Sequence, residues 1–351
     1  MRSNLILFFS SLIFSCLALE IICRVIPLAG STTFTPESDR PKYYYAFGEE
    51  GAVSDYSYPT NKSSEDFRVA VVGDSFTFPT FLQFDDAFSK RLERMLNLNP
   101  NAGGGKAEVI NFGKMGLSGR QEMARVKKAL KYHPDILLLE ITLNDPEPGN
   151  FHTAMKKNPG RYAFYNLAMF SADYPLLSKS KLLDFVVERI SNTKSHGAVI
   201  DYYLDIYRDQ KLMNDYRNSI SRFKADAVES GVKIIAVIFP MFYTEIDTHY
   251  PFLEAHQKIQ KILEDIQIPF LDLSESYKGI PHERLNVLVG KDTHPNEIAH
   301  RIAADSIYIW LENSHIIPEQ FLIHRRYAPE ARGHQVLQRG ATSNQPDHAD
   351  Q

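Results

Sequence analysis

The stretch Arg68-Val-Ala-Val-Val72-Gly73-Asp74-Ser75-Phe76-Thr77-Phe78 decides how the chain is read. Val69 to Val72 form an unbroken apolar run, the mark of a strand covered on both faces rather than one with a wet side. Gly73 ends the run, and a helical pattern follows after a short loop, so Ser75 stands where a strand gives way to a helix. Ligands of open parallel sheets bind at the carboxyl ends of the strands, which is where this serine is placed. The tripeptide alone reads equally well as a turn and helix cap.

Working outward, short β-branched runs recur at Ala107–Asn111, Asp135–Ile141, Val232–Phe239 and Pro269–Leu273. Helical patterns lie between and after them, near 85–98, 120–132, 209–230, 250–266 and 296–313. Strands alternating with helices, and nearly continuous in apolar residues, predict an α/β fold with a parallel sheet of about five strands and helices on both faces. The rhythm breaks over about 146–208, where Phe151, Tyr162, Phe164, Tyr165, Phe170 and Tyr174 cluster, and an insertion with helical character is expected there.

Three further strand ends carry polar chemistry. Asn111-Phe-Gly113-Lys-Met-Gly116-Leu-Ser-Gly119 offers glycines that let backbone N–H groups approach a ligand, and Thr142-Leu-Asn144-Asp145 offers a side-chain amide at the same edge. With the Ser75 N–H, Gly116 and Asn144 complete three donors of the kind a tetrahedral oxyanion needs, although each could be a plain turn residue. Near the carboxyl end, Asp292-Thr293-His294-Pro295-Asn296-Glu297 precedes a helix with Ile298, Ala299, Ile302, Ala303, Ile307 and Trp310 on one face. Pro295 disfavours helical backbone at His294. In extended chain, residues two apart project to one side, so Asp292 can hold the His294 ring while its far nitrogen faces a serine.

These blocks, in this order, resemble those of the SGNH (GDSL-like) hydrolases across roughly residues 67–313: Gly73-Asp74-Ser75, Gly116, Asn144-Asp145 and Asp292-x-His294. The resemblance implies a three-layer, flavodoxin-like SGNH fold. It also implies a serine esterase with Ser75 as nucleophile, His294 as base, Asp292 as third member of a triad, and Ser75, Gly116 and Asn144 as oxyanion hole. Neither a metal nor a diffusible cofactor is implied. Two positions depart from the commoner pattern. Lys291 stands three before His294, where an aspartate is usual, and the two-residue spacing of Asp292 resembles members involved in polysaccharide O-acetylation; Asp272, at the fifth strand's end, is the reserve partner. The third block begins Thr142-Leu143, leaving Asn144 in place.

Composition narrows the partners. The 351 residues are 44% hydrophobic with a formal net charge of -4 and no dense Lys/Arg stripe, which argues against nucleic acid. Both cysteines, Cys16 and Cys23, fall in the apolar amino-terminal segment, so the rest of the chain has no thiol chemistry. Leu5 to Ile22 would span roughly 27 Å as a helix at about 1.5 Å per residue, enough to cross a bilayer core. The segment lacks a clean small-residue cleavage pattern, and Phe14 disfavours a lipoprotein site before Cys16, so residues 1–29 are read as an uncleaved anchor rather than a removed signal. Residues 30–66 are expected to be a linker packing on the domain, 67–327 the hydrolase domain, and 328–351 a disordered tail. The expected substrate is an O-acyl ester, with acetyl preferred, of an envelope or extracellular carbohydrate or lipid, met outside the cytoplasm. Transfer to a polysaccharide hydroxyl and a non-catalytic surface role stay open.

Overall fold

The computed structural model describes residues 2–26, 46–54, 57–98, 104–147, 179–288 and 292–322. The aromatic cluster from Phe151 to Tyr174, the carboxyl-terminal tail and much of the expected linker lie outside the described residues.

The five expected strands form as β3 (Phe67–Val72), β4 (Ala107–Asn111), β5 (Ile136–Ile141), β6 (Lys233–Ile238) and β7 (Phe270–Asp272). They pair in parallel in the order β4-β3-β5-β6-β7, and every residue of β3, β4 and β5 is buried. The order reverses direction at β3, so the carboxyl ends of β3 and its two neighbours open a crevice at the switch point. This is the doubly wound, flavodoxin-like α/β arrangement expected from the sequence. A short hairpin, β1 (Ala46–Phe47) and β2 (Val53–Ser54), extends the sheet antiparallel beyond β4, within the stretch expected as linker.

Helices α2 (Phe88–Leu96), α3 (Gly119–Leu130), α5 (Gln210–Glu229), α6 (Leu253–Ile266) and α8 (Glu297–Asn313) correspond to the five helical patterns. Their apolar stripes bury Leu92, Val126, Phe223, Ile259 and Ile307 in one core with the sheet. The described part of the insertion is a long helix, α4 (Lys181–Arg208), and a single turn, α7 (Ser274–Tyr277), follows β7. One buried ion pair staples the sheet: Arg68 on β3 stands opposite Glu108 on β4, at 2.6 Å, with both side chains almost wholly buried. Burying those charges is tolerable only because they are paired and further bonded, Arg68 also reaching the Thr60 carbonyl at 3.1 Å.

The amino-terminal segment is a helix, α1 (Arg2–Val25), and Asn4–Val25 is long and apolar enough to cross a membrane. Its apolar side chains are largely exposed. It meets α4 through Glu20, whose carboxylate accepts hydrogen bonds from Ser180 Oγ at 2.9 Å and from the Lys181 and Leu182 N–H groups at 3.0 and 2.9 Å. A carboxylate on the otherwise orphaned donors of a first turn is the ordinary way of closing a helix start. Arg24 completes the joint by donating to the Lys179 carbonyl at 2.7 Å.

Candidate active site

Ser75 lies in the turn that leaves β3, and the local sequence dictates the turn's shape. Asp74 folds its side chain back so that Oδ1 accepts the Phe76 N–H at 2.8 Å, while its carbonyl accepts the Phe78 N–H at 2.9 Å. Thr80 Oγ1 donates to the Ser75 carbonyl at 2.8 Å. From β4, Asn111 donates to the Thr77 carbonyl at 2.8 Å and accepts the Gly113 N–H at 2.8 Å. Gly113 permits that approach, because a Cβ there would fall 2.4 Å from the Phe78 nitrogen.

His294 arrives from the opposite side of the crevice. Asp292–Pro295 is extended, forming β9, which pairs antiparallel with β8 (Asn286–Leu288). Asn296 then starts α8: its Oδ1 accepts the Ile298 and Ala299 N–H groups at 3.0 and 3.1 Å, and its Nδ2 donates to the Arg284 carbonyl at 2.9 Å. The strand and the helix cap together fix the direction in which the imidazole points. Phe76 packs against that ring, with centroids 5.7 Å apart, and is itself wedged between Phe239 and Phe242.

The side chains meet in a line. His294 Nε2 is 2.8 Å from Ser75 Oγ, and His294 Nδ1 is 2.6 Å from Asp292 Oδ1, which also accepts the His294 backbone N–H at 3.0 Å. The two-residue spacing therefore places the carboxylate on the ring, as extended backbone predicts. Asp272, the reserve candidate, is engaged elsewhere: its Oδ2 bonds His256 Nδ1 at 2.8 Å and Gln260 Nε2 at 2.7 Å, and its Oδ1 accepts the Ser274 N–H at 2.9 Å. Burial works to lower the His294 pKa, but the Asp292 hydrogen bond and charge outweigh it, and the net shift is upward from 6.5. Asp292 shows the mirror image, burial raising its pKa and the His294 bond bringing it below the usual aspartate value.

Asn144, just past β5, donates from Nδ2 to Asp74 Oδ2 at 2.7 Å, and Thr142 Oγ1 donates to the same oxygen at 3.1 Å. An amide nitrogen carries two N–H groups, so one remains for a ligand. Gly116 sits in an exposed stretch with φ +73°, backbone that favours glycine. Asp74 is thus the hub between the Ser75 turn and the β5 loop, a role that Gly-Asp-Ser alone did not reveal.

Acidic groups crowd beneath the serine turn. Burial, reinforced by neighbouring carboxylates, drives Glu122, Glu140 and Asp145 well above ordinary carboxyl values, and Glu147 up to about 8. Away from the serine, Glu245, His282 and Glu283 bring ligand-type atoms within 4.8 Å of one another, but His282 Nδ1 already has Glu245 Oε1 at 3.0 Å as a hydrogen-bond partner. Two cavities also lie elsewhere, one of about 540 Å³ between α1 and α4 and one of about 340 Å³ beside the β1–β2 hairpin.

Fold and site together define a three-layer α/β protein with a hydrogen-bonded serine, histidine and aspartate at the switch point of its sheet. No family model matches the chain, and no curated protein does. Among solved structures it is similar to a psychrotrophic esterase from Pseudoalteromonas sp., with 13% identity, TM-score 0.41, and coverage of 71% of this chain and 99% of that one. It is likewise similar to an acetylxylan esterase from Geobacillus stearothermophilus, with 14% identity, TM-score 0.41, and coverage of 72% and 95%. A third is a putative acylhydrolase from Bacteroides fragilis, with 13% identity, TM-score 0.35, and coverage of 79% and 92%.

Proposed function

We propose that the chain is a serine ester hydrolase of the SGNH type that acts on an O-acyl ester, an acetyl ester of a carbohydrate before others. The observation that carries the reading is the unbroken line Ser75 Oγ, His294 Nε2, His294 Nδ1, Asp292 Oδ1, with contacts of 2.8 and 2.6 Å. In this mechanism Ser75 Oγ attacks the ester carbonyl as His294 takes its proton. Asp292 holds the imidazole in the tautomer that leaves Nε2 free and stabilises the imidazolium that forms. Negative charge grows on the former carbonyl oxygen, where the Ser75 and Gly116 N–H groups and the remaining Asn144 N–H are assigned to receive it. His294 returns its proton to the departing alcohol, and a second round with water frees Ser75.

The Asp292-x-His294 spacing supports a saccharide ester through the resemblance to O-acetylation proteins. Helix α1 supports attachment to a membrane, and Arg2 with the amino terminus, opposed by Arg24 at the other end, favours the orientation that leaves the catalytic domain outside the cytoplasm. An acyl-enzyme can also pass its acyl group to a sugar hydroxyl, which would make the protein an O-acyltransferase. Incubation with an acetylated oligosaccharide and a labelled unacetylated acceptor separates the outcomes. Free acetate released in a Ser75-dependent way supports the hydrolase, labelled acetyl-acceptor supports transfer, and neither product with any ester tried refutes the catalytic reading.

A further inference from the structure

The carboxyl end of β5 carries an anomaly. Ile136-Leu-Leu-Leu-Glu-Ile141 is apolar except for Glu140, a residue only 1% exposed. Burying a carboxyl costs free energy that a leucine in its place would not incur, so the fold has no reason of its own to keep it. Its bonds show what it does. Glu140 Oε2 accepts the Asp74 N–H at 3.2 Å and the Thr77 hydroxyl at 3.0 Å, the residues on either side of Ser75 and Phe76. Gly73 makes the room: a Cβ there would lie 2.4 Å from Glu140 Oε2 and 2.8 Å from Glu140 Cβ. A glycine and a threonine from the turn after β3 and a glutamate from β5 are therefore fitted to one another under the serine.

We propose that Glu140 is a positioning residue for the nucleophile, its carboxyl tethering Asp74 N and Thr77 Oγ1 from below and so fixing where Ser75 presents Oγ to His294. The inference rests on the reading of Ser75 as nucleophile. Burial, with the charges of Asp74 and Glu122 beside it, pushes the Glu140 carboxyl well above the usual glutamate value and so favours its neutral form. The groups that face it are Asp74 on the tethered turn, Glu122 from α3 and Asp145 beyond β5, all acidic, and among the described residues neither lysine nor arginine bonds it. A neutral carboxyl can accept both hydrogen bonds without adding repulsion to that group. From above, Asp74 Oδ2 is held by Thr142 and Asn144, so the turn is clamped on two sides.

The test compares Glu140→Gln, which keeps an acceptor oxygen in place, with Glu140→Leu, which fills the volume and removes it. Misplacement of a reacting atom by about 1 Å can cost about 10²-fold in rate. Glu140→Leu is expected to lower kcat on a short aryl ester by about that factor with KM within about twofold, and Glu140→Gln to restore kcat to within about fivefold of wild type. Thr77→Val, which removes one tether, should fall between them. Amide exchange at Asp74 should be at least about tenfold faster in Glu140→Leu and unchanged in Glu140→Gln, because only the former frees that N–H. An active wild type with an unimpaired Glu140→Leu variant, or a glutamine variant as damaged as the leucine one, overturns this inference alone. A wild type that hydrolyses no ester overturns the reading of Ser75 and this one with it.

Discussion

Replacing Asp292 by asparagine tests the member of the line whose spacing departs from the commoner pattern. In the proposed mechanism the carboxylate contributes two things: it fixes which imidazole nitrogen carries the proton, through the 2.6 Å bond to Nδ1, and it offsets the positive charge that His294 acquires. Loss of both in serine enzymes costs about 10⁴ in kcat, or about 5.4 kcal/mol at 1.36 kcal/mol per tenfold. Asp292 Oδ1 also accepts the His294 backbone N–H at 3.0 Å, a bond that the asparagine amide oxygen can keep, so the strand should hold its shape. The assay is steady-state hydrolysis of an aryl ester across pH, with Asp272→Asn as comparison. In the wild type the acid limb of kcat/KM should lie above pH 6.5, since His294 must be neutral to act as base and its pKa is raised. In Asp292→Asn the limb should move down, because burial, which lowers that pKa, is left without its main opponent. Asp272→Asn should change kcat by less than about tenfold, its partners being His256, Gln260 and Ser274. Equal losses in the two variants, or a larger one at Asp272, would refute the assignment.

Asn144→Ala should lower kcat by roughly 10²–10³ if its free N–H meets the oxyanion, and a change confined to KM would mean ground-state binding instead. Thermal stability should decline by more than about 5 °C as pH rises from about 5 to 8. Glu122, Glu140, Asp145 and Glu147 all have raised folded-state pKa values, Glu147 to about 8, so the folded state binds more protons than the unfolded one in that window. His294, also raised, loses its contribution in the same direction. A melting temperature flat or rising over that range contradicts the burial of these acids. Deletion of residues 1–29 should give a soluble protein whose Ser75 reacts at the wild-type rate, with only the first turn of α4 loosened by loss of the Glu20 cap. Aggregation of the truncated chain would show that α1 belongs to the core.

The parallel strands were legible because each is a short, nearly continuous apolar run bounded by polar turns, and the α helices around them because their apolar residues recur at helical spacing. His294 was legible because Pro295 dictates extended chain just before a helix. The β1–β2 hairpin was not, since strands of two residues are too short to show any period. Glu140 escaped because a single charge inside an apolar strand looks like an ordinary edge residue until the turn above it is seen. It leaves one signal in the sequence, the coincidence of a buried-strand glutamate with a glycine at the end of the neighbouring strand. The joint at Glu20 was hidden for a different reason: it links residues about 160 apart, and no local pattern announces a long-range helix cap.

The central claim is that Ser75 is an activated nucleophile, and covalent labelling by a fluorophosphonate tests it directly. The reagent needs a serine whose proton is taken by a neighbouring base and whose adduct sits in an oxyanion site, and it is indifferent to which ester the protein uses. One phosphonyl group per chain is expected, mapped by peptide mass spectrometry to Ser75, absent in Ser75→Ala and strongly slowed in His294→Ala. A chain that stays unlabelled while folded, or one labelled equally well after Ser75→Ala, would contradict it.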